Sequence, residues 1–496
     1  MYTFQDFQKD VAASGVEAAV SNTIANHKRS DAYLIAKDAD EYDHQRNTTI
    51  TNYVKTIFTM AGTPVEDFTA SNNRLCSNFF HRLNTQRLTY LLGNGVSFTD
   101  HVEEVVDENG DETQVDETKE MLGPKFDTDL QTLAYDSLIH GVCFGFWNID
   151  RLHIFPLTEF APLWDEETGS LMAGVRFWQI DSQKPMYAVL YEIDGYTKLR
   201  CDLGNNGSFV IVDEQKPYAV EVATSEEGGE EVIGEYVYSS LPIIPMWGSK
   251  LKQSTLVGMK QKIDSFDLIR SGFANDLTDC AQVYWILENC GGMTAGDLEK
   301  FRDQLKINHI AVVQDADNSK AEPYTQDIPY AARKEYLDEI RAGIYEDFGG
   351  LDVHTIAAGA TNDHIDAAYQ PMDEEADDFE YQIIEFIDRL LELLGTEDTP
   401  IFKRNRISNQ KEQTEMVLSA ADYLDTQTIL SKLPFITVDE VAEILARKDA
   451  EAADRFEPDM NFEESKPEEE EGPNETDTAT GELENELVTA RMKRKK

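Results

Sequence analysis

The chain has 496 residues, of which 41% are hydrophobic, so it is long enough for about two to four folded domains. It carries 94 acidic residues against 44 lysines and arginines, and its formal net charge at pH 7 is −50. Phosphate groups and anionic lipids repel such a chain, which argues against a conventional nucleic-acid-binding protein. No run of about 18 apolar residues occurs and the first ten residues resemble no secretion signal, so neither a membrane span nor a signal peptide is expected.

The five cysteines, an odd number without any Cys-x-x-Cys pair, predict neither a disulfide framework nor a zinc site. Reduced thiols in a cytoplasmic compartment are the expectation. The sequence also lacks a Walker P-loop, His-Glu-x-x-His and Gly-x-Ser-x-Gly, and its histidines are scattered. We therefore predict no catalytic residue, no bound metal and no cofactor.

The first 250 residues are predicted to be helical and then rich in strands. Helices are expected at Thr69–Leu92 and Asp127–Ile139, with a β-hairpin around Asp107-Glu108-Asn109-Gly110 between them. From residue 142 to about residue 244, aromatic and β-branched residues alternate with Gly, Asp, Asn and Pro, a pattern typical of an antiparallel sheet. The predicted strands are Cys143–Trp147, Arg151–Phe155, Ala173–Ile180, Met186–Ile193, Thr197–Cys201, Ser208–Val212 and Tyr236–Tyr238.

Two long helices are predicted around a compact insertion. In Ser254–Glu288 the apolar residues recur every three or four positions, which indicates one helix about 50 Å long with a single apolar stripe. Asn289-Cys290-Gly291-Gly292 ends it, and Pro329 begins a second helix that stops at Gly349-Gly350. The insertion between them is predicted to contain one short helix and two strands: Gly296–Lys306, His309–Gln314 and Lys320–Thr325.

Leu351–Gln370 is small, polar and glycine-containing, and we predict a loop there. Pro371 is expected to begin a third helix, which ends at Leu394. Carboxylates crowd its first turns, where the positive end of the helix dipole favours them. They are Asp373, Glu374, Glu375, Asp377 and Asp378. The same carboxylates could bind a divalent cation, so an acidic metal-dependent enzyme remains an alternative.

Between Arg341 and Arg389 the sequence has 13 acidic residues and neither lysine nor arginine. This stretch is either the most acidic part of an acidic protein or a surface that faces a polyanion without binding it tightly. Three short helical segments, expected to form a small bundle, follow at Ser408–Tyr423, Asp425–Leu433 and Thr437–Asp449. After Arg455 we predict a disordered acidic tail that ends in the basic Arg491–Lys496.

The order of these elements resembles the portal proteins of tailed bacteriophages with long non-contractile tails. Three stretches carry the local likeness: Tyr90–Val96 as a Tyr-Leu-Leu-Gly turn, Leu133–Gly141 with the strands that follow, and Leu268–Leu277, which is similar to that family's first stem helix. The resemblance spans about residues 20–450. Gly359-Ala360-Thr361-Asn362-Asp363-His364 departs from the small-residue loop sequence of the family.

The resemblance implies an α+β fold, the phage portal fold, that assembles as a ring of about twelve copies. It divides the chain into N-terminal helices with a β-rich wing (1–253), a first stem helix (254–288), a clip (289–328), a second stem helix (329–348), a channel loop with the acidic-start helix (349–399), a helical crown (400–455) and a disordered tail (456–496).

The same resemblance implies a passive, non-enzymatic conduit at one capsid vertex, through which double-stranded DNA is packaged and ejected without sequence recognition. Its expected partners are further copies of the chain, the terminase large subunit, the head-tail adaptor, and the major capsid and scaffolding proteins, with no membrane partner. The expected location is the virion, and the host cytoplasm during assembly. An internal scaffolding or accessory capsid protein is the main alternative.

Two sets of site residues follow from the resemblance. The DNA-facing channel loop is predicted to contain Asp352, His354, Thr361, Asn362, Asp363, His364 and Asp366. A docking surface for the motor or the adaptor is predicted on the clip, at Lys300, Arg302 and Lys306, about one helical turn apart. For these basic residues, ordinary surface solubility is the alternative explanation.

Overall fold

The computed structural model describes residues 2–59, 62–67, 70–99, 102–106, 112–204, 207–224, 230–236, 238–280, 284–288, 294–308, 320–324, 329–353, 361–406, 410–420, 426–433, 441, 444, 445, 447 and 448. The chain divides into two compact units, Met1–Glu412 and Gln413–Lys496. Helices and antiparallel sheets are mixed along the first unit, as the α+β prediction requires.

Four helices begin the first unit: α1 (Phe4–Ser14), α2 (Val16–His27), α3 (Asp31–Asp43) and α4 (Thr48–Thr51). The side chains of Thr3 and Ser30 accept hydrogen bonds from backbone N–H groups in the first turns of α1 and α3, which caps both helices. Apolar residues of α1 and α2 pack against the largest sheet of this unit.

The next segment is extended where a helix is predicted. β1 (Thr56–Phe58) and β2 (Pro64–Glu66) form an antiparallel hairpin, and helix α5 (Phe79–Leu92) begins only at Phe79, so the predicted start at Thr69 is wrong. Alternate backbone N–H groups before α5 donate to side chains of the long helix α8 (Leu256–Cys280). The pairs are Asn73 to Asn275, Leu75 to Ser271 and Ser77 to Asp267. These bonds to a neighbouring helix replace those that a local helix would make.

Two further predictions are confirmed before the main sheets. The elements are β3 (Val96–Phe98), β4 (Val102–Val106), β5 (Glu112–Asp116), α6 (Glu117–Leu122) and α7 (Phe126–His140). β4 pairs with β5 in antiparallel register, as the predicted hairpin requires, and the turn between them lies outside the described residues. α7 ends at His140, and Gly141 follows as its C-cap with a φ of +88°, which suits glycine.

Among the described residues from 142 to 247, ten strands build three antiparallel sheets and confirm the predicted β-rich region. They are β6 (Val142–Trp147), β7 (Leu152–Pro156), β8 (Phe160–Trp164), β9 (Leu171–Trp178), β10 (Met186–Glu192), β11 (Gly195–Cys201), β12 (Val210–Lys216), β13 (Ala219–Thr224), β14 (Glu230–Tyr236) and β15 (Ile243–Trp247). The strand orders are β12-β11-β10-β9-β8, β15-β6-β7 and β13-β14. β8, β13 and β15 are absent from the predicted set, and the predicted strand Tyr236–Tyr238 shares only Tyr236 with β14.

The first long helix is shorter than predicted. α8 ends at Cys280, and Tyr284–Glu288 forms strand β16, which pairs with β17 (Lys320–Tyr324), so the predicted continuation of the helix to Glu288 is wrong. Between these strands α9 (Ala295–Asn308) confirms the predicted short helix, whereas the predicted strand His309–Gln314 lies outside the described residues. α10 (Tyr330–Phe348) confirms the second long helix.

The third long helix, α11 (Asn362–Leu394), begins before Pro371 and contains it. Ile365, Tyr369 and Met372 are buried in one cluster with Tyr90, so a single apolar face runs past the proline. The predicted loop is therefore wrong from residue 362 to residue 370. Burial of this face offsets the backbone hydrogen bond that a proline cannot make.

The sheet β15-β6-β7 fixes the position of α11. The shared cluster contains Phe379, Ile383 and Phe386 of the helix with Cys143, Trp147 and Met246 of the sheet. Gly145 of β6 permits this close approach, because a Cβ at that position would lie 2.7 Å from the ring of Phe386.

Strand β18 (Pro400–Phe402) pairs with β3 near the end of the first unit. Most of α12 (Gln410–Ser419) and all of α13 (Thr426–Lys432) belong to the second unit, and both match predicted helical segments. Only a few residues of the third predicted segment are described, and the predicted tail lies outside the described part of the chain. None of the helices in the described part has the length and apolarity that a membrane crossing requires.

Candidate functional site

The acidic stretch between Arg341 and Arg389 covers the end of α10 and most of α11. Nine of its 13 carboxylates lie within 4 Å of a lysine or arginine nitrogen. They are Asp347, Asp352, Asp366, Asp373, Glu375, Asp377, Asp378, Glu380 and Glu385. Most of the partner cations come from distant parts of the sequence. The carboxylates of this acidic stretch are therefore mostly paired with lysines and arginines of the same chain.

Two arginines after β18 bind one face of α11. The Arg404 guanidinium contacts Asp373 at 3.0 Å, Glu380 at 2.9 Å and also Asp377. These carboxylates occupy successive turns of the same helix face. Arg406 contacts Asp373 as well. We call the five residues Arg404, Arg406, Asp373, Asp377 and Glu380 the arginine latch.

Asp373 is the centre of the arginine latch. Burial would raise the pKa of its carboxyl, but hydrogen bonds from Tyr90, Arg406 and Arg404 outweigh burial and hold that pKa below its usual value. Burial, together with the hydrogen bond to Asp373, raises the pKa of the Tyr90 hydroxyl to about 12. Asp373 is therefore ionised and Tyr90 protonated at neutral pH, which keeps the network intact.

Arg87 of α5 makes a second, buried link to the acidic helix. Its guanidinium donates to the backbone carbonyl of Phe348 at 2.6 Å, lies 3.1 Å from Glu375 and sits over the Phe348 ring at 4.2 Å. Burial lowers the pKa of Arg87, and the nearby carboxylates of Glu375 and Asp378 oppose that shift. This residue joins α5, the end of α10 and α11 through one side chain.

The predicted channel residues occupy different environments. Asp352 accepts two hydrogen bonds from Arg341, at 2.9 and 3.0 Å, and Asp366 lies 3.3 Å from Arg406. Thr361, Asn362, Asp363 and His364 form the cap and first turn of α11, where Thr361 accepts a hydrogen bond from the His364 N–H. Asp363 and His364 are exposed. His354 lies outside the described residues. Of the predicted channel loop, the structure describes Asp352 before that gap and the start of α11 after it.

The predicted clip residues lie on α9. Lys300 is 3.8 Å from Asp297 and Arg302 is 3.1 Å from Asp303, and both basic side chains are mostly exposed. Lys306 lies on the same helix. Exposed local ion pairs of this kind contribute little to stability.

The metal alternative meets a specific obstacle in this geometry. Asp373, Glu375, Asp377 and Asp378 each lie within 4 Å of a lysine or arginine nitrogen, whose positive charge opposes the binding of a further cation there. Within the described residues, no group of three or more His, Cys, Asp or Glu side chains is arranged to hold a metal ion.

The arginines that organise this site are missing from the predicted residues. Arg404 and Arg406 alternate directly after the short strand β18, and that spacing places both side chains on the same side of an extended segment. The sequence signal for these arginines is a basic pair that could neutralise the acidic run. Nothing in the sequence, however, indicates that these two segments meet.

A second group of titratable side chains joins α3 and α7. The ring of His140 lies 2.7 Å from Asp40, and Tyr135 donates to Asp43. Asp136 lies on α7 next to Tyr135 and is half-buried, and burial, with smaller contributions from Asp40 and Asp43 that His140 opposes, raises the pKa of its carboxyl to about 6.

Asp136→Asn is expected to stabilise the protein above pH 6. In the unfolded chain an aspartate titrates near pH 4, so between about pH 4 and 6 the folded state holds a proton that the unfolded state lacks, and stability falls as pH rises. Removing this carboxyl should add about 1–3 kcal/mol at pH 7.5 and little at pH 4. Thermal unfolding at both pH values checks this, with the exposed Asp194→Asn as control. An equal gain at both pH values would contradict it.

The comparisons with known proteins assign the chain to a family. Residues 22–454 match the family described as Phage portal protein, SPP1 Gp6-like, and the chain belongs to this family. The resemblance seen in the sequence is thereby confirmed.

Two relatives are named Portal protein. The one from Clostridium phage phiCD119 is 28% identical over 244 residues, which are 47% of this chain and 54% of the relative, so the chain matches about half the length of that protein. The one from Bacillus phage SPP1 is 23% identical over 434 residues, 80% of each chain. A solved structure, the neck of an empty GTA particle computed with C6 symmetry, covers 71% of this chain and 88% of its own at 9% identity and a TM-score of 0.39, which supports no further conclusion.

Proposed function

We propose that this chain is the subunit of a ring-shaped channel at one vertex of a phage capsid, through which double-stranded DNA is packaged and later ejected. The observation that carries the proposal is the family match across residues 22–454. In this proposal the protein is a virion component that binds the terminase large subunit during packaging and the head-tail adaptor afterwards. It performs no catalysis itself.

The charge supports a passive conduit. A ring of about twelve copies would carry a formal charge of about −600, which repels DNA phosphates and disfavours tight contacts with a sliding duplex. Much of the acidic charge on α11 is internally paired, so the repulsion comes from the remaining exposed carboxylates. Asp363, beside His364 at the start of α11, is the exposed carboxylate that we place nearest the DNA.

In this proposal, each region of the chain has a role in the ring. The wing is the sheet region up to residue 247, the stem is α8 with α10, and the clip runs from β16 to β17 with α9. Lys300, Arg302 and Lys306 would face the motor or the adaptor. The crown would include α12 and α13, and the start of α11, with Asp352 and Asp366 tied back to arginines, would border the channel.

Asp363→Lys is expected to leave ring assembly intact and to reduce DNA packaging strongly. The substitution changes the ring by two charges per subunit at the proposed constriction, so a duplex would be held by new phosphate contacts. Mass in solution and negative-stain electron microscopy report rings, and nuclease-protected DNA in heads assembled with the cognate phage proteins reports packaging. Glu214→Lys, on the exposed face of β12, is the control of equal charge change.

Each of these measurements has an outcome that would contradict the proposal. A wild-type protein that stays monomeric or dimeric at high concentration overturns the ring. Elongated oligomers of variable length that are absent from mature particles favour the scaffolding alternative. Rings with normal packaging in Asp363→Lys overturn the placement of α11 beside DNA.

A further inference from the structure

The backbone of Leu351 is held by one side chain of α5. The side-chain amide of Gln86 donates from Nε2 to the Leu351 carbonyl at 3.0 Å, and its Oε1 accepts from the Leu351 N–H at 3.1 Å. Leu351 lies between α10 and α11, outside any helix or strand. One side-chain amide therefore satisfies both backbone groups of this residue, as a neighbouring antiparallel strand does within a sheet.

The chain after α10 lies close against the same face of α5. A Cβ at Gly350 would lie 2.5 Å from a methyl carbon of Leu83 and 3.3 Å from Oε1 of Gln86, so a larger residue would push this segment away. Arg87, the next residue of α5, donates to the carbonyl of Phe348. Gln86 thus completes a set of contacts that fixes the end of α10 and the residues after it on α5.

The side chain of Leu351 links this fixed segment to the start of α11. Leu351 is 5% exposed and belongs to one buried cluster with Tyr90 of α5 and with Ile365, Tyr369 and Met372 of α11. The rings of Tyr90 and Tyr369 stack with their centroids 5.6 Å apart. The first turns of α11 are therefore packed on Leu351 and on α5.

Other contacts hold the start of α11 less firmly. Pro371 has no N–H, so the helical hydrogen bond to the carbonyl of Ala367 cannot form. Arg406 lies 3.3 Å from Asp366, but the Asp366 side chain is 65% exposed, and an exposed ion pair contributes little to stability. Among the described contacts, the buried cluster around Leu351 is the main support of residues 362–370.

We propose that Gln86 is a positioning residue for the start of α11, the part of the channel wall that we place beside DNA. Gln86 fixes the backbone of Leu351, Leu351 supports the buried face of residues 362–370, and that face sets where the exposed Asp363 lies. Gln86 acts through these contacts and does not touch DNA. This inference rests on the proposed function and adds to it a residue that holds the channel wall in place.

Two substitutions remove the hydrogen bonds and keep the size of the side chain. Gln86→Met has nearly the same length and lacks both polar atoms. Gln86→Glu keeps the shape and the aliphatic stem, but at neutral pH it places a carboxylate against the Leu351 carbonyl. Gln131→Met is the matched control, because Gln131 is also half-buried and donates to a backbone carbonyl, that of Leu92, at 2.9 Å.

Amide hydrogen exchange of the full-length protein, followed by mass spectrometry, measures the local effect. We expect residues 349–353 and 362–370 to exchange at least about 10-fold faster in Gln86→Met than in the wild type, because two hydrogen bonds of ordinary strength are lost. Residues 379–394 should exchange at the wild-type rate, since their buried face packs on the sheet β15-β6-β7. Gln131→Met should leave all three segments unchanged.

Gln86→Glu separates hydrogen bonding from packing. If the hydrogen bonds position Leu351, this variant should also speed exchange at residues 349–353 and 362–370, because its carboxylate cannot donate to the Leu351 carbonyl and repels it. Exchange at the wild-type rate in Gln86→Glu would show that only the aliphatic stem matters, and it would overturn the proposed role.

DNA packaging measures the functional consequence. Both Gln86 variants should form rings in negative-stain electron microscopy, and both should lose nuclease-protected DNA in heads assembled with the cognate phage proteins. Gln131→Met should package as the wild type does. This loss is expected even though Gln86 is half-buried in α5 and carries no charge.

The outcomes distinguish this inference from the proposed function. Unchanged exchange at residues 362–370, faster exchange throughout α11, or normal packaging in both Gln86 variants would overturn the role of Gln86 and leave the channel proposal standing. A wild-type protein that forms no rings, or that packages no DNA with its cognate partners, would overturn the proposed function itself.

Discussion

Replacing Arg404 with methionine is expected to lower the free energy of unfolding by about 2–3 kcal/mol. The substitution keeps the aliphatic stem but leaves Asp373, Asp377 and Glu380 with one cation fewer on a single helix face. Removing one partner of a buried charge group costs about 3–5 kcal/mol, and we reduce that figure because the Arg404 side chain is 24% exposed. Urea unfolding of the full-length protein measures the change.

Arg389→Met is the matched control. Arg389 pairs with Glu385 one turn away on the same helix, and both side chains are about half exposed. Its loss should cost no more than about 0.5 kcal/mol. Equal effects for the two substitutions would show that the arginine latch contributes no more than a surface ion pair.

The cost of Arg404→Met should also depend on pH. The pKa of Asp373 lies below its usual value in the folded protein, so the stability that this carboxylate contributes is present above the ordinary aspartate pKa and is lost as pH falls through the folded value. The gap between the wild type and Arg404→Met should therefore narrow below about pH 4. A gap that stays constant to pH 3 would assign the loss to packing of the arginine stem.

The helices and sheets show how far periodicity alone predicts this fold. The apolar stripes of α8 and α10 and the strands of the β-rich region were predictable because each segment has one buried face with a fixed period. Tyr284 and Leu287 also continue the helical spacing of α8, yet Tyr284–Glu288 is a strand. The difference comes from β17, a partner strand whose pairing with this segment no local pattern reveals.

The prediction missed the start of α11 because it gave Pro371 more weight than the apolar spacing. Ile365, Tyr369 and Met372 already follow the helical period before and after that proline. A proline inside a helix costs a hydrogen bond, but a buried face on both sides of it repays that cost through tertiary packing. The candidate site also depends on contacts between residues that are far apart in the sequence. The acidic run was visible, whereas its pairing with Arg404 and Arg406 required the fold.

Gly145→Ala is expected to destabilise the protein by about 2–4 kcal/mol, although it adds only one methyl group. The new Cβ would lie 2.7 Å from the ring of Phe386 and 3.0 Å from a methyl carbon of Leu152, in the middle strand of the sheet that supports α11. Neither the strand nor the buried helix can move freely, so the clash must be relieved by strain or by a shift of α11.

A double-mutant cycle tests that cause. Phe386→Leu alone should cost about 1–2 kcal/mol, because it leaves a gap over Gly145. Combined with Gly145→Ala, it should recover at least about 1 kcal/mol, since the added methyl group then occupies that gap. Gly258→Ala, in open space on α8, is the control and should be neutral or stabilising by up to about 1 kcal/mol. Additive costs in the double variant would show that Gly145→Ala strains the strand itself. They would contradict the role of Gly145 in the close approach of α11.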